Sequence, residues 1–311
     1  MPRSKERHRC VHAEADAIAR HGCECYKACV ASPGRQQLDA SALEFFRAAV
    51  CVPDAEIDLV EGALLIAQAE YPTLDRGRYR QRLEEMGREA TGACKTSNST
   101  FERLAQFQHL FFSRWGFHGN RDDYYDPRNS FLNDVLDRRT GIPITLSVVY
   151  MEVGRRAGLE LVGVGMPAHF LVACVGNDIF VDFFSEGARL TRADCAARFR
   201  ELHPEETFRP EFLSPVGPRQ ILTRLLNNLL EIYLRRERYP KALVAVEMIL
   251  CANPGEPEWL RRRALVHYQL KNYSRAMADL QSYLERAPDV PDREEIVKHL
   301  AALAQLRSMV N

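Results

Sequence analysis

The stretch Asn129-Ser-Phe-Leu132, Arg139-Thr-Gly-Ile-Pro-Ile-Thr-Leu-Ser147, Met166-Pro-Ala-His169-Phe170 and Ile179-Phe-Val-Asp182 decides the fold. Asn129 or Ser130 stands where a helix cap belongs, ahead of the apolar positions Phe131, Leu132, Val135 and Leu136. Thr140-Gly141 breaks that helix. Pro143 suits the first turn of the next one, which runs through Leu146, Val149, Tyr150 and Val153 to a natural stop at Gly158. Three extended runs follow, Leu159–Val164, Phe170–Val175 and Ile179–Phe184, and Gly176-Asn177 is a hairpin turn between the last two.

That hairpin sets a geometry. A two-residue turn pairs Val175 with Asp178 and places Leu171 opposite Asp182. Assigned to the same strand, His169 shares the face of Leu171, because side chains alternate with period two. His169 and Asp182 are then diagonal neighbours, roughly 7–8 Å apart at the backbone. A histidine oriented by a carboxylate is the base half of a catalytic triad. The third member is expected to be a thiol at the start of a helix, where the macrodipole lowers its pKa.

Upstream, residues 1–37 read as a mobile N-terminal extension. Cys23, Cys25 and Cys29, with His8, His12 and His21, are weak metal candidates, since their spacing is not the paired Cys-x-x-Cys of a structural zinc site. Residues 38–115 read as a helical subdomain. Asp54 is placed to cap a helix carrying Leu59, Ala63, Ile66 and Ala67, which Pro72 ends. Tyr79, Leu83 and Met86 mark a second helix, and the capping box Ser99-Thr-Phe-Glu102 opens a third with Leu104, Phe107 and Phe111 inside. The turn-rich segment 116–130 carries Tyr124 and Tyr125, which with Asn129 and Ser130 form a candidate binding surface.

Downstream, Pro215, Gly217 and Pro218 mark a linker, and residues 219–311 are helical with an internal repeat. Tyr239, Ala242, Leu250 and Pro254 recur 34 residues later as Tyr273, Ala276, Leu284 and Pro288. This period and pattern resemble the tetratricopeptide repeat, a helix pair that buries its apolar face only by stacking on a neighbour. The stack is expected to continue through residues 290–310 as a capping helix. A concave groove for a peptide and a mere packing module are equally compatible with the pattern.

Composition narrows the partners. Among 311 residues, 42 basic side chains balance 42 acidic ones, so no long-range attraction to nucleic acid or to an anionic membrane is expected. No apolar run reaches the length of a membrane span, and the charged start lacks the apolar stretch of a signal peptide. Nine irregularly spaced cysteines suit reduced thiols. A cytoplasmic protein follows as the expectation, with no cofactor.

Residues from about 41 to 200 resemble the bacterial transglutaminase-like proteins described as regulators of sirC expression. The motifs are Ile57-Asp-Leu, Ala63-Leu-Leu-Ile-Ala, Tyr71-Pro-x-Leu74-Asp, Asn129-Ser-x-Leu132, Val135-Leu-x-Arg138-Arg-x-Gly-Ile-Pro-Ile144, Pro167-x-His169-Phe and Asp182-x-Phe. The resemblance implies an α+β fold: a helical N-terminal subdomain, a transglutaminase-like (papain-like) core over 116–212 with a small antiparallel sheet, and tetratricopeptide-like repeats. It also implies His169 as general base and Asp182 as the orienting carboxylate. The helix from Pro143 would bear the nucleophilic cysteine in its first turn, but that turn reads Pro143-Ile-Thr-Leu146. Cys174 has the opposite strand parity to His169, which leaves Thr145 and Ser147 as candidate hydroxyl nucleophiles. Two readings stand: a non-catalytic or weakly catalytic regulatory protein that binds a peptide or protein through its cleft or repeat groove, and a cysteine-independent hydrolase or acyltransferase on amide or ester bonds.

Overall fold

A computed structural model describes residues 40–97 and 99–310. The chain divides into two compact units, Val52–Ile232 and a second drawn from Met1–Cys51 and Tyr233–Asn311. The cysteine cluster at 23–29 lies outside the described residues. Among those described, no group of three or more His, Cys, Asp or Glu side chains is arranged to hold a metal ion, and no helix is long and apolar enough to cross a membrane.

In the unit Val52–Ile232, helices Leu59–Glu70 (α2), Arg76–Cys94 (α3) and Thr100–Gln108 (α4) form the helical layer. Asp58, not Asp54, caps α2 by accepting the Glu61 N–H at 2.9 Å. Asp54 opens a separate short 3-10 turn and accepts the Arg219 N–H instead. Ser99 caps α4 as its motif implies. The chain then continues as a π-helical turn, His109–Arg114, which keeps Phe111 pointing inward beside Phe107.

Helix Leu132–Arg138 (α5) begins at Phe131 with no side-chain cap, so neither Asn129 nor Ser130 plays the expected capping part. Asp126 caps the 3-10 turn Pro127–Asn129 just before it. Arg139 ends α5 with φ +59. Helix Pro143–Arg156 (α6) starts on its proline as expected, and Gly158 follows with φ +74. Strands His118–Gly119 (β1) and Thr140–Gly141 (β2) pair in parallel.

The main sheet has the order β6-β5-β4-β3-β7 and all its pairs are antiparallel. Its strands are Leu161–Val164 (β3), Leu171–Cys174 (β4), Ile179–Asp182 (β5), Ala188–Leu190 (β6) and Pro215–Val216 (β7). Leu171 pairs with Asp182, the register the hairpin signal implies. One face meets α6, where Tyr150 lies fully buried among Phe107, Phe111 and Phe183, with ring centroids 4.5 to 5.3 Å away. The other face meets helix Arg192–Leu202 (α7): Val164, Leu171 and Phe180 pack on Cys195 and Phe199. Helix Pro218–Arg235 (α8) leads out of this unit.

The second unit contains helices Ala40–Val50 (α1), Tyr239–Ala252 (α9), Glu258–Gln269 (α10), Tyr273–Arg286 (α11) and Arg293–Val310 (α12). The repeated Ala242 and Ala276 are both fully buried, as small residues at close helix crossings must be. Leu250, Leu260, Leu280 and Leu284 form its core with Ile296 and Leu303 of α12, which completes the stack as the repeat period implies. Arg263 forks onto Asp279 with bonds of 2.8 and 2.6 Å across α10 and α11.

Candidate functional site

His169 and Asp182 meet. The imidazole Nε2 lies 3.1 Å from Asp182 Oδ1, in a contact where both side chains are buried. An ionised carboxylate only accepts, so Nε2 carries the proton and Nδ1 is the basic nitrogen. The route to this contact differs from the strand argument. His169 precedes β4 and sits in a turn: its N–H donates to Met166 O at 3.0 Å, and Ala168 takes φ +56. The turn, not the period-two alternation, aims the ring at Asp182.

Asp182 is fully enclosed and fully used. Oδ1 also accepts the Phe184 N–H at 2.9 Å, while Oδ2 accepts from Ser185 Oγ at 2.9 Å and from Arg198 Nη1 on α7. Burial, and then the Arg198 guanidinium, push the His169 pKa down to about 4. At neutral pH the site therefore holds a neutral histidine beside a paired Asp–Arg couple.

Neither candidate nucleophile is bonded to His169 among the described residues. Ser147 is buried, and its Oγ donates to Pro143 O at 2.7 Å, a bond back along its own helix. Thr145 is fully buried, and its Oγ1 has no partner among the described residues. Among the described residues the His169 ring hydrogen-bonds only to Asp182. Asp182 itself points toward α7, whereas Phe183, the next residue, turns to Tyr150 of α6. Cys174 is buried, and burial raises its pKa, the opposite of thiol activation.

The proposed binding residues divide into two kinds. Tyr124 is partly exposed, and its ring lies 5.8 Å from Phe184, whose ring lies 6.0 Å from His169. Tyr125 stands edge-on to Tyr124 at 5.3 Å. Asn129 is buried, and its amide is spent on the loop: Nδ2 donates to Asp123 O at 2.7 Å and Tyr124 O at 3.3 Å, and Oδ1 accepts from Asn120 and Arg138. Ser130 is buried, and its Oγ has no partner among the described residues. Asn129 thus holds the Tyr124 backbone in place through its amide.

Sequence reasoning missed Arg198, Phe184 and Ser185, which complete the surroundings of the pair. Phe184 closes the Asp182-x-Phe motif but carried no assigned role, and Arg198 and Ser185 belong to no motif; only the fold brings α7 over β5. A cavity of about 960 Å³ in the same unit, lined by Arg80, Glu152, Leu161 and Val175 among others, lies at the Leu161–Cys174 end of the sheet. His169 adjoins the opposite, Val164–Leu171 end, and neither His169 nor Asp182 lines that cavity.

This arrangement, an antiparallel sheet and core helix with a buried His–Asp pair and a following helical repeat, is that of a transglutaminase-like domain joined to tetratricopeptide repeats. The transglutaminase-like superfamily matches residues 77–227, and the tetratricopeptide repeat matches residues 229–301. A UPF0162 protein of Xylella fastidiosa (strain Temecula1) is 35% identical over 263 residues, covering 82% of this chain and 93% of that protein. One from Vibrio cholerae is 30% identical over 251 residues, covering 80% and 93%. The chain belongs to the UPF0162 family. Human F-box only protein 21 is 28% identical over 180 residues, 54% of this chain and 28% of that protein.

Proposed function

We propose that this protein is a cytoplasmic regulatory protein that binds a peptide or protein partner, on a transglutaminase-like scaffold with little or no catalysis of its own. The supporting observation is the first turn of α6. Pro143, Ile144, Thr145 and Leu146 are all buried there, no thiol is among them, and neither nearby hydroxyl engages His169. Acyl transfer needs a nucleophile within reach of its base. The repeat helices supply the partner surface: Leu265 and Tyr268 of α10 remain exposed although their helix is packed.

The test uses the full chain as bait in three forms, wild type, Leu265→Glu with Tyr268→Glu, and His169→Ala, against extract of its own host. The reading expects a prey retained by wild type and depleted by the double variant, with no hydrolysis of amide or ester substrates by any of the three. Turnover by wild type that His169→Ala removes would overturn it.

One observation favours a second reading, a hydrolase or acyltransferase. The 3.1 Å contact between His169 and Asp182 leaves Nδ1 as a free base. In that reading His169 deprotonates Thr145 or Ser147 while Asp182 fixes the ring, and Thr145→Ala abolishes ester turnover.

A further inference from the structure

Several half-buried arginines of this chain meet a carboxylate, as Arg263 meets Asp279 and Arg198 meets Asp182. Arg224, on α8 within the same unit as His169, does not. Its Nη2 donates to Met166 O at 3.2 Å, the carbonyl that also receives the His169 N–H. Its guanidinium lies 5.6 Å from the Phe170 ring centroid, and Nη1 is buried with no hydrogen-bond partner among the described residues. Gly165 leaves the space for it, since a Cβ there would crowd Nη1. A buried guanidinium without a counter-ion costs stability, and an unsatisfied buried donor calls for an explanation, a ligand among them.

The surroundings suggest which ligand. Tyr124 is close enough for the Arg224 charge to lower its pKa, against the larger effect of burial, and it continues through Phe184 to the His169 ring. Arg198 and Asp182 cancel, and His169 is neutral at physiological pH. Arg224 is left without a carboxylate partner, and Arg121, which donates to Phe184 O, adds a second positive charge at the rim. The planar fork of arginine matches the two oxygens of a carboxylate.

We propose that Arg224, with Tyr124 and the Phe170 and Phe184 rings, forms a carboxylate-binding subsite beside His169, taking the terminal or side-chain carboxylate of a bound peptide. The guanidinium leaves Met166 O, a neutral acceptor, for the charged one, which forms the stronger bond. The proposal deepens the binding reading given above, because it names the chemistry of what reaches the His169 edge.

The test is NMR titration of the full chain with three probes: N-acetyl-L-phenylalanine, its C-terminal amide, and the α-amide of N-acetyl-L-glutamate. The expected result is saturable shifts of the Arg224 side-chain N–H and the His169 ring with a carboxylate probe, and binding at least tenfold weaker with the phenylalanine amide. Preference between the two acids tells a chain terminus from an acidic side chain. Arg224→Met should weaken the acid at least tenfold, and Arg224→Lys, which keeps charge but loses the fork, should weaken it severalfold. Equal binding of acid and amide, no binding of either acid, or undiminished binding by a folded Arg224→Met would each overturn the proposal. If Arg224→Met does not fold, the wild-type comparison of acid with amide still decides. Ester turnover by wild type would instead count against the binding-only reading and leave this result standing.

Discussion

His169 is held by three groups with opposing effects: burial and Arg198 disfavour its proton, and Asp182 fixes its ring. Its NMR titration should have a midpoint near 4, not the usual 6.5. A histidine whose folded pKa is depressed favours folding most when neutral. Its contribution is complete above pH 6.5 and is lost as pH falls from there to about 4, by on the order of 3 kcal/mol at ~1.4 kcal/mol per tenfold change in proton affinity. Arg198→Met should raise the midpoint, because it removes a positive charge and frees that of Asp182; an unchanged midpoint would show that Arg198 does not govern the ring. Asp182→Ala should cost about 3–5 kcal/mol in urea unfolding, since Arg198 and His169 lose their common partner. The register that sets Leu171 opposite Asp182 was legible in the hairpin signal; the turn that aims His169 at Asp182 was not, because the sequence argument placed His169 within the strand. Arg198 and Arg224 were not, because an arginine on an amphipathic helix carries no local mark of the buried partner it reaches, or of lacking one.

At the scale of elements, proline and glycine placed helix ends better than capping side chains did. Pro143 and Gly158 bound α6 as expected, because proline's fixed φ and glycine's access to positive φ act through the backbone alone. Asp54, Asn129 and Ser130 were misassigned as caps, since short polar side chains serve turns equally well and only the surrounding fold selects among them. The 3-10 and π turns that resulted had no signal of their own. Gly187 is an element-scale test. It has φ +80, a Cβ there would overlap the Phe112 ring, and its N–H bonds Asp182 O at 2.8 Å. Gly187→Ala should lower the unfolding free energy by about 1–3 kcal/mol. In the repeat, Ala276→Leu should cost a similar ~1–3 kcal/mol, because Ala276 is fully buried in the repeat core and a larger side chain must displace its neighbours; a neutral result would mean that the α10–α11 packing is looser than its burial indicates.

Across the whole molecule, two kinds of sequence signal were read at different ranges. The 34-residue repeat was readable because each copy restates the same packing problem. A small antiparallel sheet beside a helix was readable from one hairpin and one proline-started helix, and its transglutaminase-like character from the motifs that carry the resemblance. What the chain does with its histidine depends on distances that no linear pattern encodes. On the proposed function, a base and its orienting carboxylate are kept here without a nucleophile. The sharpest test is intact-mass and peptide mass spectrometry after treatment with a fluorophosphonate, which captures hydroxyls activated by an adjacent base. The expected result is no adduct on Thr145 or Ser147 and no adduct that distinguishes wild type from His169→Ala. An adduct on either hydroxyl that disappears in His169→Ala would contradict it.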